Sequence, residues 1–174
     1  MNNFKTEAFV LKKFRLPNND VIVTCFTKEF GKIRSIAKGV KKITSRRAPH
    51  LDSINMIEVI YRKNNDSYFL TETKLISAFS AIKSSEYKQK VVYFFFYILD
   101  FMLPEAVQDA EIYQWLRNLL ILLGGDNQYI QTYLNRDLNI LMRLLGYIDS
   151  DLPYNSLIVL IEETIHEKIQ KYIL

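Results

Sequence analysis

Between Lys28 and Arg47 the sequence carries eight basic side chains, Lys28, Lys32, Arg34, Lys38, Lys41, Lys42, Arg46 and Arg47, against the single acid Glu29. Ammonium and guanidinium groups at that density suit phosphates, which they hold by charge and by hydrogen bonds to oxygens common to every nucleotide. Binding of that kind is salt-sensitive and weak in sequence preference. Six aromatic residues are interleaved with or flank the run: Phe14, Phe26, Phe30, Tyr61, Tyr68 and Phe69. Any that faces outward could stack a base, although a small barrel also needs such rings for its interior. A charge run can equally be a solvated loop that only keeps a protein soluble.

Residues for covalent chemistry are scarce. His50 and His166 are the only histidines, and no Ser/His/Asp set or phosphate-cradling glycine loop is readable. Glu163-Thr164-Ile165-His166 has the Glu-x-x-His spacing of a di-iron bundle, but such bundles need a second copy and the sequence holds none. Cys25 is the only cysteine, which excludes an intrachain disulfide and a multi-cysteine zinc site. No catalytic residue is assigned, and no metal or other cofactor is expected.

The elements that must position the basic run read as strands. Short β-branched and aromatic stretches alternate with Gly, Pro, Asn and Asp over the first 75 or so residues. Five strands are predicted, at Thr6 to Leu16, Val21 to Thr27, Lys32 to Lys38, Ile54 to Arg62 and Tyr68 to Leu75. In the third, Ile33, Ser35 and Ala37 should face one way and Arg34, Ile36 and Lys38 the other. A tight turn at Glu29 to Lys32, a long basic loop from Gly39 to Asp52 and a hairpin connection at Lys63 to Ser67 join them. Five short strands with a long loop after the third fit a closed barrel of the OB type.

From about Ser84 the apolar period lengthens to that of helices. The first should bury Tyr87, Val91, Phe94, Phe95, Ile98 and Met102 and end at Pro104. A second spans Asp109 to Leu123, a third Gln128 to Leu145 with Gly146 as its stop, and a fourth Ser156 to Ile173 with Leu157, Leu160, Ile161, Ile165 and Ile169 on one stripe. The expected fold is therefore α+β, with an OB-type barrel over 1–80 and a helical domain over 81–174. Charge divides in the same place: residues 1–80 hold 15 Lys and Arg against 7 Asp and Glu, and residues 81–174 hold 8 against 12. The basic half calls for an anionic partner. The amino terminus lacks the basic-then-apolar order of a secretory signal, and the run Val91 to Leu103, broken by Asp100, is too short to cross a bilayer. No membrane contact and a cytoplasmic, nucleoid-associated location are expected.

Four segments resemble the RecO family of bacterial recombination mediators. They are Thr6-Glu7-Ala8-Phe9-Val10-Leu11-Lys12, the turn Phe26-Thr27-Lys28-Glu29-Phe30-Gly31-Lys32, the stretch Ala37-Lys38-Gly39-Val40-Lys41-Lys42 with Ser45-Arg46, and Leu141-Met142-Arg143-Leu144-Leu145-Gly146-Tyr147. The resemblance implies an OB fold followed by helices, binding of single- and double-stranded DNA, and annealing of complementary strands. It also implies work with RecR and with the carboxy-terminal tail of single-stranded DNA-binding protein to load recombinase at gaps. Many members carry a zinc-binding cysteine cluster after the Leu-Leu-Gly-Tyr segment; here Ile148 to Asn155 replaces it, so zinc is not carried over. The chain ends at Leu174, earlier than typical members, which points to a shortened helical domain. Arg136 and Arg143 stand seven apart on one helix face and could receive an acidic, aromatic-ended tail, or could simply pair with surface carboxylates. Two other readings share the composition: an interaction adaptor with little DNA binding, and an RNA-binding OB protein.

Overall fold

The computed structural model describes residues 2–17, 20–40, 47–125 and 131–169. The chain forms two compact units, one of residues 1–79 with 104–110 and one of residues 80–103 with 111–174.

The first unit is a closed five-stranded barrel with strand order β1-β2-β3-β5-β4, comprising β1 (Asn2–Arg15), β2 (Val21–Thr27), β3 (Gly31–Ala37), β4 (Met56–Asn64) and β5 (Ser67–Ser77). β1 closes it by pairing along its first part with β4, Asn2 opposite Lys63 to Phe9 opposite Met56, and along its second with β2, Ala8 opposite Thr27 to Arg15 opposite Val21. β3 and β5 meet in a short parallel ladder, Ser35 to Ala37 against Tyr68 to Leu70. That short ladder closes the barrel, the arrangement expected of an OB-type fold.

Inside, Val10, Val23, Ile33, Ile57, Val59 and Leu70 are among the side chains that fill the lumen, and Leu51 plugs it from a short 3-10 turn at Ala48–Leu51. The alternation expected of β3 is observed: Ile33, Ser35 and Ala37 are buried, Arg34 and Lys38 are exposed and Ile36 is half-buried. β4 starts at Met56 and not at Ile54, because Ile54 sits in the left-handed region at φ 77°, its N–H donating to Val10 O at 3.0 Å. The β4–β5 connection is tighter than the expected five residues: Asn64 pairs with Ser67 across Asn65 and Asp66, with Asn65 at φ 51°.

Cys25 and Tyr61 are both fully buried in the lumen. The Tyr61 hydroxyl lies beside Cys25 and Ser35, yet among the described residues no partner stands in good hydrogen-bonding geometry. Burial pushes the Cys25 thiol from 9.0 up to about 12, against a smaller lowering by Tyr61, and burial likewise raises Tyr61 well above 10. The folded thiol thus keeps its proton where the unfolded one loses it, so stability is intact below pH 9 and falls as pH rises from 9 toward 12. The fall approaches about 1.4 kcal/mol per pH unit for each such group. Urea midpoints measured from pH 8 upward should therefore drop more steeply in the wild type than in Cys25→Ala, and parallel slopes would refute the assignment.

The second unit is helical: α1 (Ser80–Lys83), α2 (Glu86–Met102), α3 (Ala110–Gly125), α4 (Gln131–Leu144) and α5 (Tyr154–Ile165). Ser85 caps α2 by accepting the Lys88 N–H. Val91, Phe94, Phe95 and Ile98 of α2 are buried as expected, Phe95 edge-on to Trp115 at 5.3 Å, but Tyr87 is exposed and Met102 only half-buried. The buried Lys88 reaches the end of α3 and donates from Nζ to Leu123 O at 2.7 Å, placing a cation where the helix dipole is negative. Gly146, at φ 79°, stops α4: its N–H donates to Arg143 O at 3.0 Å and that of Tyr147 to Met142 O at 3.0 Å. Asn139 then clamps the following chain, donating to Leu152 O at 3.0 Å and accepting from Leu152 N at 2.7 Å. α5 ends at Ile165, short of the expected Ile173, because His166 turns left-handed at φ 56° and Glu162 accepts the Ile169 N–H at 2.9 Å; residues 170–173 lie outside the described residues. None of the described helices is long and apolar enough to cross a membrane.

Candidate nucleic-acid interface

The outer surface of the barrel carries a row set by register. Phe14 of β1 lies opposite Ile22 of β2, Ile22 opposite Ile36 of β3, Ile36 opposite Phe69 of β5, and Phe69 opposite Arg62 of β4. Cross-strand partners project to the same side of a sheet, so these five side chains form one band. A second row, two residues along, joins Lys12, Thr24 and Arg34. Phe14 is 66% exposed, Ile22, Ile36 and Phe69 are half-buried, and Lys12, Arg34 and Arg62 are exposed. Lys38, just past β3, holds its Nζ 5.1 Å from the centre of the Phe69 ring. Cations thus border an apolar, partly aromatic strip, the combination that lets bases stack while phosphates are neutralised.

A bulge makes this possible. The β1–β2 register shifts between Val10 and Lys12, so that Leu11 is the extra residue. Ala8 and Val10 face the lumen, and unbroken alternation would send Lys12 and Phe14 there too. The extra residue reverses the parity and turns both outward.

The eight cations of the basic run divide into different settings. Arg34 and Lys38 join the outer band. Lys28 is exposed in the turn at the opposite end of β3. Lys32 is only 7% exposed, with Glu105 bridged alongside it and its carbonyl accepting from Ala106 N at 2.8 Å. Arg47 spends its guanidinium on backbone carbonyls, of Leu70 at 3.1 Å, Thr71 at 3.2 Å and Lys38 at 2.5 Å, and so fastens the long loop to β5. Lys41, Lys42 and Arg46 lie outside the described residues. Of the six aromatics, Phe26 and Tyr61 are fully buried, whereas Phe14, Phe30, Tyr68 and Phe69 reach the surface in whole or part. Lys12 and Arg62 did not stand out in the sequence, since each lies outside the dense run and only strand register brings it to the band.

The turn before β3 is built by its own residues. Thr27 Oγ1 accepts the Phe30 N–H at 3.1 Å and donates to Gly31 O at 2.8 Å, while Thr6 Oγ1 donates to the Glu29 carboxylate. Gly31 adopts φ 67°, and a Cβ there would stand 1.8 Å from Val107 O. The segment 104–110 therefore lies directly on the turn, tied also by Gln108 Nε2 to Lys28 O at 3.3 Å.

On α4, Arg136 bonds Asp137 Oδ1 through Nε at 3.1 Å and Nη2 at 2.9 Å and lies 5.1 Å from the Tyr133 ring centre, and Arg143 pairs with Asp151. His50 Nδ1 bonds Thr73 Oγ1 at 2.9 Å. Among the described residues no group of three His, Cys, Asp or Glu side chains could hold a metal ion.

Residues 1–79 match the family model described as Recombination protein O N terminal. The chain is 30% identical over 121 residues to the DNA repair protein RecO of Syntrophus aciditrophicus (strain SB), covering 68% of this chain and 47% of that protein. Residues 1–79 belong to the RecO amino-terminal family. It is also 24% identical over 148 residues to the DNA repair protein RecO of Caldanaerobacter subterraneus subsp. tengcongensis, covering 85% of this chain and 60% of that protein. With the DNA repair protein RecO of Thermoanaerobacter sp. (strain X514) the identity is 28% over 120 residues, covering 69% and 48%. The chain spans about half the length of these curated relatives. The turn Phe26-Thr27-Lys28-Glu29-Phe30-Gly31-Lys32 thus has a physical reason for its residues: Thr27 holds the turn, Gly31 admits the neighbouring backbone, and Lys32 O receives its hydrogen bond.

Proposed function

We propose that this chain acts in DNA repair and recombination by binding single- and double-stranded DNA on the outer band of its barrel and annealing complementary strands, without covalent catalysis. The observation that carries the reading is the register-aligned band of Phe14, Ile22, Ile36 and Phe69 bordered by Lys12, Arg34, Lys38 and Arg62. Neutralising phosphates on one surface lowers the repulsion between two strands brought together there, so annealing needs no nucleophile. Lys28, Lys41, Lys42 and Arg46 add to the net positive charge of residues 1–80 in this reading, while Lys32 and Arg47 act by holding the barrel together. The acidic helical unit is assigned to protein partners, a RecR-like protein and the tail of single-stranded DNA-binding protein, with loading of recombinase at gaps as the outcome. Arg136 and Arg143 would meet such a tail by exchanging their present carboxylates for its own.

A salt series of binding to single-stranded DNA, duplex DNA and RNA of one sequence tests this. The logarithm of the single-strand affinity should fall linearly with the logarithm of salt, with a slope of about −0.7 per phosphate contacted. Phe14→Ser should weaken single-strand binding about tenfold, at the low end of what one stacked base is worth, and leave the melting temperature unchanged because the ring packs little. Negligible oligonucleotide binding at moderate salt would leave the adaptor reading, and a clear preference for RNA would favour the RNA-binding one.

A further inference from the structure

A second aromatic site stands apart from the outer band. Phe4, Phe30 and Tyr68 wall a pocket of about 460 Å³, with Asn3, Lys63 and Ala106 completing it. Phe4 is 4.4 Å from Phe30 between ring centres and 5.9 Å from Tyr68, which it meets edge-on at 89°. Phe30 stays 37% exposed, and Lys63 Nζ lies 5.4 Å from the centre of the Tyr68 ring. The volume is within the roughly 300–1,000 Å³ of small-ligand sites, ample for one nucleotide. The walls are preformed: Phe30 is held by the hydrogen bonds of Thr27, and Ala106 by its own N–H on Lys32 O.

Planar rings around an open volume with one cation at its side suit a flat aromatic heterocycle that carries an anionic group. The setting favours a nucleotide. Arg62 and Lys63 are neighbours on β4, opposite Phe69 and Tyr68 on β5. Alternation sends Phe69 to the outer band and Tyr68 to the pocket, so a strand lying along the band reaches the β4–β5 ladder with a cation on each side of it. We propose that the pocket takes one unstacked base from single-stranded DNA, with Lys63 on its phosphate; this rests on the DNA-binding reading given above. A duplex keeps its bases stacked, so the pocket gives the protein a preference for single strands and a place to hold one base out of the stack.

The test uses the full chain and oligodeoxythymidine carrying a single 5-iododeoxyuridine, photocrosslinked and mapped by mass spectrometry. Crosslinks are expected on Phe30 or Tyr68 as well as on Phe14 or Phe69. Phe30→Ser and Lys63→Ser should each weaken single-strand binding about tenfold while duplex binding holds, and Phe30→Tyr should restore it. Lys63 is exposed, so its variant reads the pocket without disturbing the fold. Crosslinks confined to Phe14 and Phe69, with full affinity in both variants, would overturn the pocket while leaving the outer band intact. So would an acidic, phenylalanine-ended peptide that occupies the pocket and leaves DNA binding undisturbed. A wild type that binds no oligonucleotide sinks the pocket and the DNA-binding reading together.

Discussion

Arg34→Glu combined with Lys38→Glu will lower single-strand affinity by more than about a hundredfold at low salt, since each lost contact to a charged group is worth roughly 1.5–3 kcal/mol. Both side chains are exposed, and Lys38 reaches its position over Phe69 from just beyond β3, so the fold should survive. The variant should also flatten the salt dependence by about 0.7 per lost phosphate contact. Annealing should fall with binding, because no chemical step separates the two. As a control, Lys5→Glu changes an exposed lysine whose Nζ is already 2.9 Å from the Glu58 carboxylate, and it should cost far less. Equal losses in the two proteins would mean that net charge acts and not the band.

Gly31→Ala is the second large effect, and it concerns stability. The residue must hold φ 67°, which costs a side-chain-bearing residue about 1–2 kcal/mol. The new Cβ would also fall 1.8 Å from Val107 O, a backbone atom that cannot swing aside as a side chain would. Displacing that segment breaks the Ala106 to Lys32 hydrogen bond and unburies part of Lys32. A total near 3 kcal/mol is expected, a fall in melting temperature on the order of 10 °C. Gly125→Ala gives the contrast, as nothing lies within 4 Å of its Cβ position and its backbone angle is ordinary. If thermal unfolding of the two variants coincides, the clamp over Gly31 is not holding the turn.

Strand identity was legible because each strand obeys local rules. In β3 the period-two pattern separates Ile33, Ser35 and Ala37 from Arg34, Ile36 and Lys38, and burial follows it. The glycine stop of α4 is equally local, since Gly146 alone supplies the positive φ. What a linear reading could not supply is tertiary cover and register. Lys32 looks like its charged neighbours, but the segment that buries it arrives some seventy residues later in the chain. Arg47 looks like a phosphate ligand until the carbonyls of Leu70 and Thr71 take its donors. Lys12 and Phe14 face outward only because Leu11 is unpaired, and no residue type announces that bulge. Arg62 joins Phe14 through four strand pairings, each of which must be known.

The strap at 104–110 bears on how the barrel matures during synthesis. Every strand has been translated by Ser77, so the closed sheet can assemble early, but Lys32 O and Lys28 O wait for donors encoded beyond α2. A fragment cut after residue 79 would keep all five strands and lose this last fastening. Its weakest spot would be the bend between β2 and β3, where proteases would nick first.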